Sequence, residues 1–201
     1  PREQKDQLPK NRPREESPLG KIRKRDRFLD GLTAEALRHL EKALACEPNH
    51  VPSLIALSNA YLEQGEFSKV KGLLEEALAS RQDQGEVFFL MARLLARQDD
   101  HEKAAQSIDQ AIKLEPGQSK YYRLGCEIAK ARQRTLEHQV FLERLIDLDP
   151  LDGEAHYELG KLLHHPDDFD RVKLLFEISV DLLPDDTRPM FALAQHLYAG
   201  E

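Results

Sequence analysis

Proline recurs in this chain at a fixed interval. From Pro48 the series runs to Pro116, Pro150 and Pro184, at separations of 68, 34 and 34 residues, and Gln82 stands in the slot between the first two. That frame gives units at 51–84, 85–118, 119–152 and 153–186, a partial unit ending at 50 and a truncated unit from 187. A period of this length constrains the fold more than any composition does. It marks a solenoid, in which each unit is one supersecondary element that buries its apolar face only against its neighbours.

The columns of the frame say what each unit is. The eighth place holds Ser58, Ala92, Cys126, Gly160 and Ala194, all small, as two closely approaching helix backbones require. The twenty-seventh holds Ala43, Ala77, Ala111 and Ser179, with Leu145 the exception. Large apolar residues fill the seventh place (Leu57, Met91, Leu159, Leu193, but Gly125) and the twenty-fourth (Leu40, Leu74, Ile108, Leu142, Phe176). Within a unit the apolar spacings are three, four and seven, which is helical rather than alternating. Gly65, Asp99 with Asp100, and Pro166 with Asp167 and Asp168 punctuate one helix from the next, and the periodic prolines force a turn after the second helix. Each unit is therefore predicted to be a helical hairpin.

This pattern resembles the tetratricopeptide repeat family over about residues 30–201. The resemblance rests on the small residues at the eighth and twenty-seventh places and the proline near the thirty-second. It implies an all-α, right-handed α-solenoid of helix-turn-helix repeats. The fourth place departs from the family in having no Trp, His138 takes a place where a small residue is usual, and Gln133-Arg134-Thr135 lacks the turn Gly or Asp. The first unit has a good second helix, about Thr33 to Cys46, but little apolar residue before it, and the last helix, about Arg188 to Tyr198, has no second helix to pack on. Terminal repeats normally carry a polar outer face. The expectation is that either more chain or a partner covers residues 190–197.

Charge divides the sequence. Residues 1–27 hold 10 basic and 5 acidic side chains, a surplus of +5, whereas 28–201 hold 19 and 31, a deficit of −12. The first part also holds Pro1, Pro9, Pro13 and Pro18 and almost nothing apolar, so 1–30 reads as a basic, proline-rich arm or linker and 31–201 as the solenoid. Within the arm, Lys21, Arg23, Lys24, Arg25 and Arg27 form a candidate contact for an anionic partner or for the acidic solenoid itself. The segment lacks interleaved aromatics for base stacking, so nucleic acid is not the expected partner.

Catalysis finds no support. The chain has no G-x-S-x-G elbow, phosphate-binding glycine loop, dinucleotide fingerprint or H-E-x-x-H. His164, His165, Asp167, Asp168 and Asp170 crowd one turn, but adjacent helical histidines point about 100° apart and chelate poorly. No metal, cofactor or catalytic residue is expected. Cys46 and Cys126 lie 80 positions apart, with no Cys-x-x-Cys, and read as buried thiols of a reducing, cytoplasmic compartment. No apolar run approaches the roughly 20 residues of a transmembrane helix.

The family resemblance implies that the first helix of each hairpin lines a concave groove, with the second, fifth, sixth, ninth, twelfth and thirteenth places facing it. Those places supply Ile55, Asn59, Phe89, Arg93, Arg97, Lys120, Arg123, Glu127, Tyr157, Lys161, Arg188 and Phe191 as candidate partner-binding residues. The fifth-place column, Ile55, Phe89, Arg123, Tyr157 and Phe191, is the most informative: its aromatics beside Arg can anchor a peptide, and the alternative is that Phe89 or Tyr157 tucks against a neighbouring first helix. The arrangement with which some members of the family clamp a chaperone's C-terminal carboxylate is matched at only Asn59 and Lys120 of five places. It is not expected here. The expected function is a non-catalytic interaction scaffold that holds a peptide or protein segment in the groove. Two alternatives stand beside it: an accessory repeat segment of a larger enzyme such as a transferase, and a homo-oligomer formed through residues 190–197.

Overall fold

A computed structural model describes residues 34–80, 84–163 and 166–200. The chain forms α1 (34–46), α2 (Val51–Gln64), α3 (Phe67–Ala79), α4 (Gln84–Arg97), α5 (His101–Leu114), α6 (Ser119–Ala131), α7 (Thr135–Leu148), α8 (Gly153–Leu162), α9 (Phe169–Leu182) and α10 (Thr187–Ala199). One 3-10 turn, Pro166–Asp168, joins α8 to α9, and the described residues contain no strand. Helices pair as α2 with α3, α4 with α5, α6 with α7 and α8 with α9, and each second helix packs on the first helix of the next pair. The result is an all-α solenoid of stacked hairpins.

Both kinds of turn are periodic. Within the hairpins, Gly65, Asp99 and Gln133 stand 34 residues apart, and all three take left-handed backbone, with φ of 76°, 61° and 57°. Each turn closes with the same bond from the next residue back to the fifth before it, Glu66 N–H to Tyr61 at 3.0 Å, Asp100 to Leu95 at 3.0 Å and Arg134 to Ala129 at 2.9 Å. This reversal satisfies the last carbonyls of the helix. Gln133 thus makes the turn without the Gly or Asp that the sequence leads one to look for, at a steric cost of about 1–2 kcal/mol. Between hairpins, the turns at Pro48, Pro150 and Pro184 close through His50 to Glu47, Asp152 to Asp149 and Asp186 to Leu183. Asp152 and Asp186 then cap α8 and α10 by accepting from the amides of Ala155 and Arg188.

The small columns lie where backbones meet. Ser58, Ala92, Ala77, Ala111 and Ser179 are fully buried, and the Ser179 hydroxyl donates to the Gly153 carbonyl at 2.8 Å. Gly125, which breaks the seventh-place column, and Gly160, which fits the eighth, are each matched by a phenylalanine. A Cβ at Gly125 would stand 3.0 Å from the Phe141 ring, and one at Gly160 would stand 2.6 Å from Phe176. The missing side chain at the seventh place of 119–152 is therefore filled from the facing helix. His138 is buried on α7, and burial pushes its imidazole below the ordinary value of 6.5.

The core runs along the stack. Leu54, Leu74, Leu90, Val87 and Tyr121 are fully buried in its first part, and Tyr122, Leu142, Leu159 and Leu175 continue it. Cys126 belongs to that second part, where burial pushes its thiol up to about 12, so it does not ionise near neutrality. Cys46 corrects the expectation of two buried thiols: it is free and exposed at the end of α1, where no described helix covers it. At the other end, α10 is held to α9 by the His196 ring stacked on Phe169 at 4.2 Å. Its Met190, Phe191, Leu197 and Tyr198 remain exposed. No helix among the described residues is long and apolar enough to cross a membrane.

Candidate functional site

The first helices α2, α4, α6, α8 and α10 carry a ladder of charge that links each repeat to its neighbours. At the second place, Lys120 on α6 pairs with Glu86 on α4, and Arg188 on α10 pairs with Glu154 on α8 at 2.8 Å. At the ninth place, Arg93 donates to Asn59 Oδ1 on α2 at 2.7 Å and to Glu63 at 2.6 Å. Lys130 reaches Glu158, and Arg123 reaches Asp149 at 3.3 Å and Asp152 at 2.7 Å through one guanidinium nitrogen, Nη2. Most of these side chains are half exposed. Pairs of this kind each contribute about 0–1 kcal/mol and exchange partners readily.

Two aromatic rings sit inside that ladder. Phe89 lies between Arg93 at 5.8 Å and Lys120 at 5.2 Å, and Tyr157 lies between Lys161 at 4.8 Å and Arg188 at 5.3 Å. Each ring is therefore flanked by one cation from its own helix and one from the next first helix, the favoured cation–π geometry. Of the two readings of these rings, packing on a neighbouring helix is the one their contacts favour. Phe89 rests on Tyr121 with ring centroids 5.1 Å apart and is 9% exposed, and Tyr157 contacts Phe176 at 6.2 Å. What the groove presents above Phe89 is consequently the cations and not the ring face.

Two adjoining cavities open along the first helices. One, of 440 Å³ between α4 and α6, has an apolar floor of Phe89, Ala96, Leu124 and Ile128. Its rim carries Arg93, Arg97, Lys120, Arg123 and His101 against the one carboxylate of Glu127. The other, of 310 Å³ between α6, α7 and α8, is floored by Cys126, Leu142, Leu145 and Ala155. Its carboxylates are Glu127, Asp152, Glu154 and Glu158, set against Arg123 and Lys130, with His138 at its back. Glu158 ionises below the usual carboxylate range: burial opposes its charge, but Lys161 and Lys130 outweigh that opposition. Cys126 on the floor of the second cavity is held as a neutral thiol by burial, and no group of His, Cys, Asp and Glu among the described residues could hold a metal ion.

The structure brings Phe89, Arg93, Arg97, Lys120, Arg123 and Glu127 around a single cavity. Ile55 and Asn59 are half buried on α2, Tyr157 and Lys161 lie on α8, and Arg188 and Phe191 lie on α10. Lys21, Arg23, Lys24, Arg25 and Arg27 fall outside the described residues, as do His164 and His165. Sequence reasoning missed His101, which enters the first cavity from the start of α5, and Tyr121, whose phenol donates to Glu115 at 3.0 Å while its ring carries Phe89. No groove-facing place contains either residue, so the repeat frame alone could not have found them.

Comparison with known proteins agrees with this architecture. Two family models described as Tetratricopeptide repeat match residues 28–88 and 85–118. A human protein, Protein O-mannosyl-transferase TMTC1, is 22% identical over 84% of this chain and 19% of its own length. The BBSome complex member BBS4 homolog of Drosophila melanogaster is 31% identical over 75% of the chain and 29% of its own length. The chain thus spans under a third of either relative. Among solved structures, Pseudomonas aeruginosa pilF superposes with a TM-score of 0.67 at 18% identity, covering 87% of this chain and 88% of that one. YrrB, titled a TPR protein with an unusual peptide-binding site, superposes with a TM-score of 0.61 at 16% identity, covering 82% and 85%. Likeness at that identity speaks for the fold alone.

Proposed function

We propose, from the premise that this chain is a tetratricopeptide repeat protein and its repeats a scaffold for protein interaction, that a peptide segment of the partner lies in the groove along α4, α6 and α8. The observation that carries this reading is the 440 Å³ cavity between α4 and α6, where an apolar floor meets four cations and a single carboxylate. A pocket of that size and mixed lining suits one or two ligand side chains. Stacked hairpins hold these groups on rigid helices, so little conformational entropy is lost when they engage a ligand. The scaffold is non-catalytic in this reading. The unpaired Cys46 and Cys126 favour a reducing, cytoplasmic setting.

Arg97 is the residue on which to test it. It is exposed, lines the cavity, and has no ion pair or hydrogen bond to any described residue, so changing it disturbs no contact of the scaffold. Co-purification with wild-type chain, with Arg97→Glu and with Lys113→Glu on the outer face of α5 separates the faces. A partner retained by Lys113→Glu and lost by Arg97→Glu supports the groove; the reverse pattern refutes it.

Two other readings each have one observation in their favour. The likeness to an O-mannosyl-transferase over a fifth of its length favours an accessory segment of a larger enzyme, which the native reading frame around the chain decides. The exposed Met190, Phe191, Leu197 and Tyr198 favour a homo-oligomer through residues 190–197. Light scattering at high concentration with Leu197→Glu beside wild type decides that one.

A further inference from the structure

We infer that the groove selects a charge-segregated ligand: an acidic stretch over the cavity between α4 and α6, followed at short spacing by a basic stretch over the cavity between α6 and α8. The inference rests on the groove reading and adds the chemistry and polarity of the partner.

The two cavities share Arg123 and Glu127. Apart from these, the first is rimmed by Arg93, Arg97 and Lys120 with no carboxylate, and the second by Asp152, Glu154 and Glu158 with Lys130 alone opposing them. The second cavity is partly neutralised within its own lining, where Arg123 pairs with Asp152 and Lys130 with Glu158, and it keeps Glu127 and Glu154 as an acidic surplus. The acids that hold Arg93 and Lys120 are Glu63 and Glu86, which do not line the first cavity. The bases that hold Glu154 and Glu158 include Arg188 and Lys161, which do not line the second. The counter-charges of the first cavity therefore sit outside it, whereas the second keeps a net acidic surplus after its internal pairs.

Hydrogen-bonding capacity remains on both sides. Arg97 makes no ion pair or hydrogen bond with a described residue, and Arg123 commits only Nη2, which leaves Nε and Nη1 for an incoming carboxylate. Glu127, between the cavities, also has no partner among the described residues and can accept from a ligand base. A segment of one sign throughout would meet repulsion in one cavity whichever way it ran. A segment with acid first and base second meets attraction in both, and reversing it brings like charges together at both ends, which costs more than either match contributes.

Geometry sets the spacing. Neighbouring first helices lie about 8–10 Å apart, so an extended ligand at about 3.3 Å per residue places its acid and its base about three residues apart.

A displayed random-peptide library selected on the whole chain tests this. The expected enriched peptides carry Asp or Glu and Lys or Arg about three residues apart, in one constant order. Arg97→Glu then weakens a selected peptide at least tenfold, and replacing that peptide's acid by Lys recovers part of the loss; Glu154→Lys acts in the same way on the peptide's base. Peptides that lose binding on Arg97→Glu yet show no fixed charge order overturn the polarity and leave the groove reading standing. An absence of enriched peptides, or peptides indifferent to both variants, overturns the groove reading and this inference with it.

Discussion

Phe89 and Tyr157 occupy the same place in their repeats, 68 residues apart, and each has a cation from its own helix and a cation from the next first helix over its ring. Even the acid below is repeated, as Glu86 and Glu154. Yet the two rings differ in what lies behind them. Phe89 is closed off by Tyr121 of a fully packed repeat, whereas Tyr157 is half exposed beside α10, whose far side is bare. The same local arrangement is buried where Tyr121 backs it and half exposed where Pro189 takes that place in the next first helix. In a solenoid, burial is decided by the neighbour and not by the unit.

The largest effect should separate the two rings directly. Removing a fully packed aromatic costs about 3–5 kcal/mol, so Phe89→Ala should approach the lower end of that range in urea denaturation, while Tyr157→Ala should cost about half as much. Equal losses would erase the distinction between the two positions.

A smaller effect concerns pH, and it belongs to the second cavity. Burial holds the His138 imidazole below 6.5, so as pH falls the unfolded chain takes up that proton first and stability drops. Above the unfolded pKa both states are neutral at this residue and it contributes no slope. The change is about 1.4 kcal/mol for each unit by which the two values differ. Denaturation at pH 7.5 and pH 5.5 should therefore show a loss that His138→Leu reduces; an unchanged pH slope in that variant would contradict the assignment.

The hairpin between the two rings offers a gain of about 1 kcal/mol: Gln133→Gly relieves left-handed backbone that an ordinary side chain resists. Gly65→Ala, at the equivalent place, should lose a similar amount. Smallest of all, Lys120→Met removes its pair with Glu86 and Arg188→Met its pairs with Glu154 and Asp186, and each should change stability by less than about 1 kcal/mol, with the difference shrinking in salt.

The repeat was legible because packing writes it into the sequence. Small residues at the eighth place and proline after the second helix are demands of backbone approach and chain reversal, and each recurs wherever the demand does. The gap in the pattern was less legible, since its explanation is pairwise: Gly125, where a large apolar residue is expected, makes sense only beside Phe141. The repeat places named residues that line the first cavity, but not what surrounds them. That Phe89 is covered by Tyr121, that Cys46 is exposed, and that His101 reaches the first cavity all depend on neighbours from other repeats. Charge showed the same limit. A deficit of −12 over residues 28–201 conceals a cationic cavity and an anionic one side by side.

The central claim is that the first helices form the binding face. Hydrogen–deuterium exchange of the chain alone and with a captured partner tests it most directly. The account predicts added protection in α4, α6 and α8, and in α7 where it lines the second cavity, with α3 and α9 unchanged; protection confined to α3, α5 and α9 would contradict it.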